Sequence, residues 1–394
     1  MPPDEKPYRV YRAGRGRKKA PIPARGNLLG NRGDKGGAPP RPGSSPYRGP
    51  GAQKKRVHWG RWIAGGFALL IILLVVWGIA GWSSFSSGVK DANRRLDPEA
   101  KLALNPQKGG GVLSSKPTTI LLLGTDNADT SGRTTDDHSD SIMLMRTDPA
   151  RHRIYYLSIP RDIVVPIPGA GTQKINAAMQ IGGPALAIKT IHSFVGIPIN
   201  HVVVVNFAQF KDLIDRLGGI TIDVPRPILS DRFDCPYGTQ ARCLKWPGWR
   251  FAKGPQHMNG ERALIYSRVR VNQLDPAESD VTRGARQQAV MQAVLSKFTS
   301  PGILFDLPFD GSSLVKPLTT DMSAGDLLGF AWAKFRASSS GDVHCRLGGD
   351  FGAGGSGAPS EDNPATIAMF LGLSAPQPPT STYGPGCEIG HTLQ

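Results

Sequence analysis

A run of 21 residues without a charge, Trp62 to Trp82, constrains this chain more than any other feature. At about 1.5 Å per residue, a helix of this length crosses a hydrocarbon core of roughly 30 Å. Trp62, Trp77 and Trp82 lie where interfacial aromatic residues are usual. A cleaved signal peptide is the alternative, but the run is long for one, starts far from the N-terminus and ends in Ala80-Gly81-Trp82, a poor cleavage site. The sequence therefore predicts a transmembrane signal-anchor over residues 62–82.

The distribution of charge predicts the orientation of this span. Of the formal net charge of +16, residues 1–61 carry +13, in a stretch rich in Gly and Pro that we expect to be a disordered tail. Four basic residues lie among positions 54–61, so the positive-inside rule places the tail in the cytoplasm and residues 83–394 outside. The tail then indicates contact with anionic membrane lipid. DNA binding is the alternative, but no recognition module accompanies the tail, so no nucleic-acid partner is expected.

Beyond the span, the pattern predicts one extracytoplasmic domain. Residues 83–116 are expected to form a membrane-proximal spacer, partly helical from about Val89 to Leu104. Strand and helix patterns then alternate over residues 117–375, which predicts an α/β fold, a layered α-β-α domain with a central mixed sheet. A Pro/Gly-rich tail of residues 376–394 follows, and no separate accessory domain is expected.

The four cysteines all follow the span, which fits an oxidising compartment. Cys235 and Cys243 are close in sequence, and Cys345 with Cys387 would make a second bridge. Four cysteines allow three connectivities, of which this local one is preferred. A zinc site is less favoured, because no Cys-x-x-Cys pair or histidine cluster accompanies them.

The stretch from position 266 to 288 is the candidate for chemistry. Arg268 and Arg270 lie two apart in a run with strand character, so they are expected to point to one side. Three further residues fall at i, i+3 and i+4 on one face of a predicted helix: Arg283, Arg286 and Gln287. Taken singly, each arginine is better explained as surface charge paired with a nearby carboxylate. Four guanidinium groups at these spacings instead indicate a site for phosphate oxygens.

Carboxylates are expected at the ends of the first strands. A buried strand over Thr118–Gly124 leads to Asp126, and Asp140 begins the next strand. If the two strands are adjacent and antiparallel, the carboxylates are close enough to share a divalent cation. Asp136 and Asp137 are alternatives, and each Asp taken alone is as well explained as a turn former.

A third strand, Ile154–Ile159, is followed by Arg161 and Asp162. Another arginine thus comes at the end of a strand, with a carboxylate beside it. An adjacent turn pair without any ligand is the alternative explanation.

Resemblance to a known family rests on seven runs, in order over about residues 117–300: LLLGTD, HSDSIMLM, LSIPRD, KINAA, NFAQFKDLIDRLGGITIDVP, MNGERALIYSRVR and DVTRGARQQ. Together they resemble the LytR-CpsA-Psr (LCP) family. The resemblance implies a membrane-anchored phosphotransferase that moves a glycopolymer from an undecaprenyl (polyprenyl) pyrophosphate carrier onto peptidoglycan through a phosphodiester bond.

The resemblance also implies roles for individual residues. Asp126 and Asp140 would hold Mg²⁺ or Mn²⁺. The pyrophosphate would be bound by five arginines: Arg161, Arg268, Arg270, Arg283 and Arg286. Gln287 would complete this polar site together with Asp162 and Asp280. His138 stands where the family often has Arg, which leaves the phosphate contact of that position open.

The residues themselves are compatible with that chemistry. The sequence has no Gly-x-Ser-x-Gly elbow, His-Glu-x-x-His motif or Walker loop, which leaves direct metal-assisted phosphoryl transfer. Asp162 or Asp280 is the expected base for the acceptor hydroxyl, although Asp280 is equally well placed as a helix N-cap. A polyprenyl tail needs an apolar pocket, for which the helices around Ile181–Val195 and Phe207–Leu217 are candidates, although ordinary core packing explains their side chains as well.

Other functions stay open. A polyprenyl-pyrophosphate hydrolase would use the same site with water. A non-catalytic polyprenyl-phosphate binding protein, or a membrane-tethered regulator, belongs to a different class. The high Gly, Pro, Ala and Arg content suggests an actinobacterial type of source, for which the resemblance would imply arabinogalactan or another wall glycan.

Overall fold

The computed structural model describes residues 59–105, 116–125, 139–275, 280–351, 356–380 and 384–390. Within them the helices are α1 Trp59–Arg95, α2 Pro98–Ala103, α3 Ala177–Val195, α4 Phe207–Arg216, α5 Gln240–Lys245, α6 Gly260–Arg268, α7 Asp280–Phe298, α8 Pro301–Val315, α9 Ala324–Arg336 and α10 Asn363–Phe370, with a 3-10 turn at Ser339–Gly341. The strands are β1 Thr119–Thr125, β2 Ser139–Asp148, β3 Arg153–Ile159, β4 Val164–Ile167, β5 Gly171–Lys174, β6 His201–Asn206, β7 Ile220–Val224, β8 Ile228–Leu229, β9 Arg250–Phe251, β10 Gly254–Met258, β11 Thr319–Thr320, β12 Val343–Arg346, β13 Gly349–Phe351, β14 Gly357–Pro359 and β15 Gly386–Ile389.

Seven of the described strands form a central mixed sheet, in the order β11-β6-β1-β2-β3-β12-β15. β1 is parallel to β6, β3 is parallel to β12, and β2 is antiparallel to both of its neighbours. The carboxyl ends of β1, β3, β6 and β12 therefore meet at one edge of the sheet, where open α/β folds bind ligands.

Helices cover both faces of the sheet, because alternate side chains of each strand point to opposite sides. On one face, Leu121 and Leu123 of β1 pack in a core with α2, α3 and α10. On the other face, Met143 and Met145 of β2 pack with residues of α7 and α9. The predicted α-β-α layering with a central mixed sheet is confirmed.

Helix α1 is a single helix of 37 residues that runs through the predicted span and on into the domain. Its apolar part is long enough to cross a membrane, and no residue of its most apolar stretch is buried. Further along, Phe85, Val89, Ala92 and Leu96 recur at helical spacing and are all at most 6% exposed. The described part of the predicted spacer is thus packed into the domain, and its first helix ends at Arg95 rather than starting near Val89.

The strand expected for positions 266–270 is wrong, because Tyr266 to Arg268 form the last turn of α6. Asn259 caps this helix by accepting a hydrogen bond from the backbone N–H of Arg262 at 2.9 Å. Four consecutive residues, positions 263–266, are buried. A helix buried on nearly all sides has an unbroken apolar run, and in such a short segment this run is indistinguishable from a buried strand.

Candidate functional site

Strands β1 and β2 are adjacent and antiparallel, with Thr125 opposite Ser139, which is the arrangement that the predicted metal site requires. Asp140 is the second residue of β2 and lies at the carboxyl-end edge of β1 and β3. Asp126, Asp136, Asp137 and His138 lie outside the described residues. A cation shared by Asp126 and Asp140 therefore stays a prediction.

Arg161 connects the carboxylates of this edge. It follows β3, and its guanidinium donates hydrogen bonds to Asp140 and to Asp162, the latter at 3.3 Å from Nε. Lys174, the last residue of β5, donates to the second oxygen of Asp162 at 2.8 Å. Two carboxylates and two cations thus alternate along one wall of the site.

The pKa of Asp162 lies below its usual value. Burial by itself disfavours the charged form, but the hydrogen bond from Lys174 and the charges of Arg161, Lys174 and Arg283 outweigh it. A carboxylate of this kind is ionised at neutral pH and is a weak base. Its surroundings suit it to holding cations in position at least as well as to accepting a proton.

Helix α7 brings the predicted Arg-Gln face to the same edge. The hydroxyl of Ser141 donates to Gln287 Oε1 at 2.9 Å, which joins α7 to β2. The neighbouring Gln288 is buried and donates to Ser158 Oγ and to the carbonyl of Cys345, both at 2.8 Å. These contacts on β2, β3 and β12 position the α7 face.

Two cavities meet at this face. A polar cavity of about 370 Å³ is lined by Arg161, Asp162, Ser158, Arg346 and Phe351, among others. An apolar cavity of about 390 Å³ extends between the sheet and α4, α7, α8 and α9. Four residues line both cavities: Asp140, Arg270, Arg283 and Gln287. A polar head and an apolar tail of one molecule fit this arrangement.

Arg268 lies on the apolar side of the junction. Its guanidinium donates to Asp234 and lies over the rings of Phe207 and Phe233, at 4.7 and 5.8 Å from their centroids. Arg268 lines the apolar cavity, whereas Arg161 lines the polar one. Of the five predicted arginines, Arg161, Arg270 and Arg283 thus border the polar cavity and Arg268 lies beside it.

Arg286 differs from the other arginines, because it lines neither cavity. It is 4% exposed, and its Nη2 donates to the carbonyl of Val269 at 2.5 Å. Val269 stands between Arg268 and Arg270, so Arg286 holds the segment that carries both. The geometry supports a positioning role rather than direct contact with phosphate.

Asp280 begins α7, and its side chain lies outside the described part of the chain. Neither its expected role as a base nor its role as an N-cap is tested. The structure does show that α7 carries the Arg283 and Gln287 side chains to the site, as the spacing predicts.

Of the two helices expected to line an apolar pocket, α4 does so through Phe207, Phe210 and Leu213. The expectation for Ile181–Val195 is wrong, because α3 packs on the opposite face of the sheet. The remaining wall comes from α7, α8 and α9, including Val294, Leu307 and Leu328. The apolar pattern of a sequence predicts that a helix is buried, but it does not predict which face of the sheet the helix covers.

Several residues of the site escaped prediction. Lys174 and Ser141 belong to runs that resemble the family but carry no pattern of their own. Arg346 and Phe351 come from the C-terminal part of the chain.

Both predicted cysteine pairs lie at bonding distance. Cys345 and Cys387 face each other on β12 and β15 with sulfurs 2.08 Å apart. The sulfurs of Cys235 and Cys243 are 2.12 Å apart, in the segment beside Asp234. The pairing of closest cysteines agrees with the preferred connectivity, and the bonds themselves stay a prediction.

The carboxylates of the polar cavity fit a divalent cation. Asp140 and Asp162 offer hard oxygen ligands beside the four arginines that line the same cavity, and Mg²⁺ commonly takes only one or two protein carboxylates together with phosphate oxygens. No group of three His, Cys, Asp or Glu side chains suited to a metal occurs among the described residues. The protein would therefore hold Mg²⁺ together with its phosphate ligand.

Comparison with known proteins identifies the family. Polyisoprenyl-teichoic acid–peptidoglycan teichoic acid transferase TagU of Bacillus cereus (strain AH820) is 33% identical over 249 residues, which are 63% of this chain and 73% of the relative. The crystal structure of B. subtilis TagV is 27% identical, with a TM-score of 0.50 over 66% of this chain and 99% of that one. A structure of TagT bound to LIIa-WTA is 26% identical, with a TM-score of 0.50 over 68% of this chain and 99% of that one.

The LytR_cpsA_psr family profile matches residues 80–344. This match begins inside α1 and includes the strands and helices that carry the arginines. Because it covers well over half of the sequence, the chain belongs to the LytR-CpsA-Psr family.

Proposed function

We propose that this chain is a membrane-anchored phosphotransferase that moves a wall glycopolymer from a polyprenyl-pyrophosphate carrier onto peptidoglycan. The observation that carries the proposal is the junction of an arginine-lined polar cavity with a long apolar one. Arg270 and Arg283 line both cavities, so they lie where a diphosphate would join a polyprenyl tail. Curated relatives at 33% identity are named as transferases of teichoic acid from a polyisoprenyl carrier to peptidoglycan, which supports this reaction class.

The reaction exchanges the phosphoanhydride bond of the carrier pyrophosphate for a phosphoester bond to the acceptor. An acceptor hydroxyl oxygen of peptidoglycan forms a bond to the phosphorus next to the glycan as the bridging P–O bond breaks, and polyprenyl phosphate leaves. Arg161, Arg270 and Arg283 stabilise the charge that develops on the phosphate oxygens. The hydroxyl proton passes to Asp162 or Asp280, and a weak base suffices because the transition state is loose.

A bound Mg²⁺ would neutralise phosphate charge in this site. We assign Asp140 as its described ligand and Asp126 as its partner. Asp140 lies in both cavities, and Arg161 holds its carboxylate toward them.

In our proposal the span of residues 62–82 crosses the cell membrane once, with the basic tail in the cytoplasm and residues 83–394 outside. The apolar, exposed part of α1 supports the anchor, and the basic residues before it support the orientation.

For the donor, an arabinogalactan-type polymer and a teichoic-acid-type polymer share the polyprenyl pyrophosphate group that the site would bind.

The test is product analysis with the purified full chain in lipid vesicles, supplied with Mg²⁺, peptidoglycan and a polyprenyl-pyrophosphate-linked glycan of either type. We expect a glycan-peptidoglycan phosphodiester, lost on addition of EDTA and restored by Mg²⁺. Phosphorylated glycan released equally with and without peptidoglycan would instead identify a hydrolase. Saturable donor binding without turnover of either kind would identify a binding protein.

A further inference from the structure

Helix α8 has two apolar sides, only one of which the domain uses. Ile303, Leu307 and Val315 face inward and line the apolar cavity. Phe305 and Phe309 lie one turn apart on the outer side and are 68% and 77% exposed. Large aromatic side chains this exposed mark a surface that contacts something apolar.

The position of α8 beside α1 indicates which apolar partner this surface contacts. The ring of Phe305 lies 5.9 Å from the ring of Trp77, which is inside the apolar span of α1. Trp77 comes five residues before Trp82, so this contact lies about 7.5 Å inside the end of the predicted span along the helix axis. Phe305 is therefore level with residues that would themselves lie in lipid.

The two helices are fixed to each other at short range. A Cβ on Gly88 would lie 2.6 Å from backbone atoms of Ser312, so α1 and α8 approach more closely than any side chain at position 88 allows. A Cβ on Gly81 would lie 3.4 to 3.5 Å from side-chain atoms of Leu307 and Pro308, and the hydroxyl of Ser84 accepts a hydrogen bond from the backbone N–H of Ser312 at 3.2 Å. The depth of α8 is thus tied to the depth of α1.

Polar residues mark the water-facing side of α8, which runs alongside α1 with its N-terminal half toward the apolar span. Asp306 and Asp310 form an exposed stripe beside the two phenylalanines, and acidic side chains of this kind stay in water or among headgroups. The helix contains no Lys or Arg, so attraction to anionic lipid contributes nothing to its binding. At 15 residues and with Asp306 and Asp310 in its middle, α8 is too short and too charged to be a second span.

We propose that α8 is a membrane-seated helix that inserts Phe305 and Phe309 into the outer leaflet, with its inner side forming a wall of the apolar cavity. This proposal goes beyond the phosphotransfer reaction and rests only on residues 62–82 crossing the bilayer. Its consequence is that one helix separates the cavity from the lipid in which a polyprenyl carrier resides. The seat would place the cavity directly beside the bilayer.

The experiment measures the depth of single fluorescent labels on the full chain in phosphatidylcholine vesicles. Single cysteines for labelling are introduced as Phe305→Cys and Phe309→Cys. Labelling is carried out without reductant, so that the two native cysteine pairs are not reduced. Matched controls are Leu102→Cys and Leu373→Cys, since these leucines are 85% and 77% exposed. Leu102 lies on α2, beyond the domain end of α1, and Leu373 follows α10 on the opposite face of the sheet from α7. Ile71→Cys reports on the span itself.

We expect labels at 305 and 309 to be quenched by spin-labelled lipid and to be severalfold less accessible to iodide than labels at 102 and 373. Replacing part of the phosphatidylcholine with phosphatidylglycerol should not change this. If the labels at 305 and 309 are as accessible to iodide as the controls while the label at 71 is shielded, the insertion of α8 into the membrane is wrong and the anchor is not affected. A label at 71 accessible to iodide would overturn the anchor and the seat together, whatever the outcome of the phosphotransfer assay.

Discussion

Arg161 donates a hydrogen bond to the carboxylate of Asp140, so the first arginine after β3 and the carboxylate at the start of β2 meet on one wall of the polar cavity. Both side chains are partly buried, at 16% and 19% exposure. An ion pair at the edge of a cavity keeps each group extended toward it. The same carboxylate is then available to a cation and the same guanidinium to a phosphate when these ligands enter.

The first prediction concerns Asp140. Asp140→Asn removes the charge of the proposed Mg²⁺ ligand while keeping its size, so we expect Mg²⁺ to bind more weakly and turnover to fall by about 10²-fold or more. Titration of Mg²⁺ into the protein loaded with polyprenyl pyrophosphate measures the affinity. Asp212→Asn is the matched control, because Asp212 pairs with Arg216 on the exposed side of α4. Unchanged Mg²⁺ affinity in Asp140→Asn would remove Asp140 from the metal site.

The second prediction concerns Arg270, which is exposed and lines both cavities. Arg270→Ala should lower kcat/KM by about 10²- to 10³-fold, because it removes one donor to the charge of the transition state. The melting temperature should stay within error of the parent chain, since the side chain is exposed. Arg216→Ala, a surface substitution of the same type, is expected to change neither quantity. Full activity in Arg270→Ala would place the phosphates elsewhere.

The third prediction separates Arg286 from Arg270. Arg286→Ala leaves the buried carbonyl of Val269 without its charged donor, so the free energy of unfolding should fall by about 1–3 kcal/mol. Turnover should fall as well, because the segment with Arg268 and Arg270 loses its support. Urea denaturation and kinetics on the same samples measure both effects. Loss of turnover with an unchanged unfolding free energy would instead show that Arg286 contacts the substrate directly.

Much of this site follows from local pattern. Asp140 and Arg161 stand at strand boundaries marked by apolar runs, and Arg283 and Gln287 stand at helical spacing. The pairing of β1 with β2 follows from their short connection. The sequence runs that resemble the family then suffice to predict that these residues meet.

What the sequence does not show is set by tertiary packing. Residues 263–266 are buried on every side in α6, so their period is hidden and a strand is equally compatible. Helix α8, which contains Pro301, Pro308 and two glycines, is not among the elements predicted from the sequence. Pro301 is tolerated at the first helical position, and contacts with α1 and the cavity stabilise the rest. Arg346 reaches the site through the pairing of β12 with β3, and Phe351 lies on β13, which pairs with β14.

The fourth prediction concerns the cysteines. Replacing Cys345 and Cys387 with Ser should cost more stability than replacing Cys235 and Cys243, because they close 42 rather than 8 residues of chain. The loop-entropy relation gives roughly 4 kcal/mol for the first pair and roughly 2.5 kcal/mol for the second. Mass spectrometry of non-reduced peptides establishes the pairing, and chemical denaturation of each double variant gives the cost. Equal costs, or crossed pairing, would contradict the assignment.

The fifth prediction follows from the low pKa of Asp162. Because this pKa is lower in the folded chain than the usual 3.8, the unfolded chain takes up a proton first as the pH falls. The stabilisation from Asp162 is therefore complete above pH 3.8 and is lost as the pH falls through the folded value. Asp162→Asn should melt below the parent chain at about pH 7, and the difference should shrink toward about pH 3. A difference that is constant over this range would show that the contribution of Asp162 is not electrostatic, and that Lys174 and Arg161 do not hold it ionised.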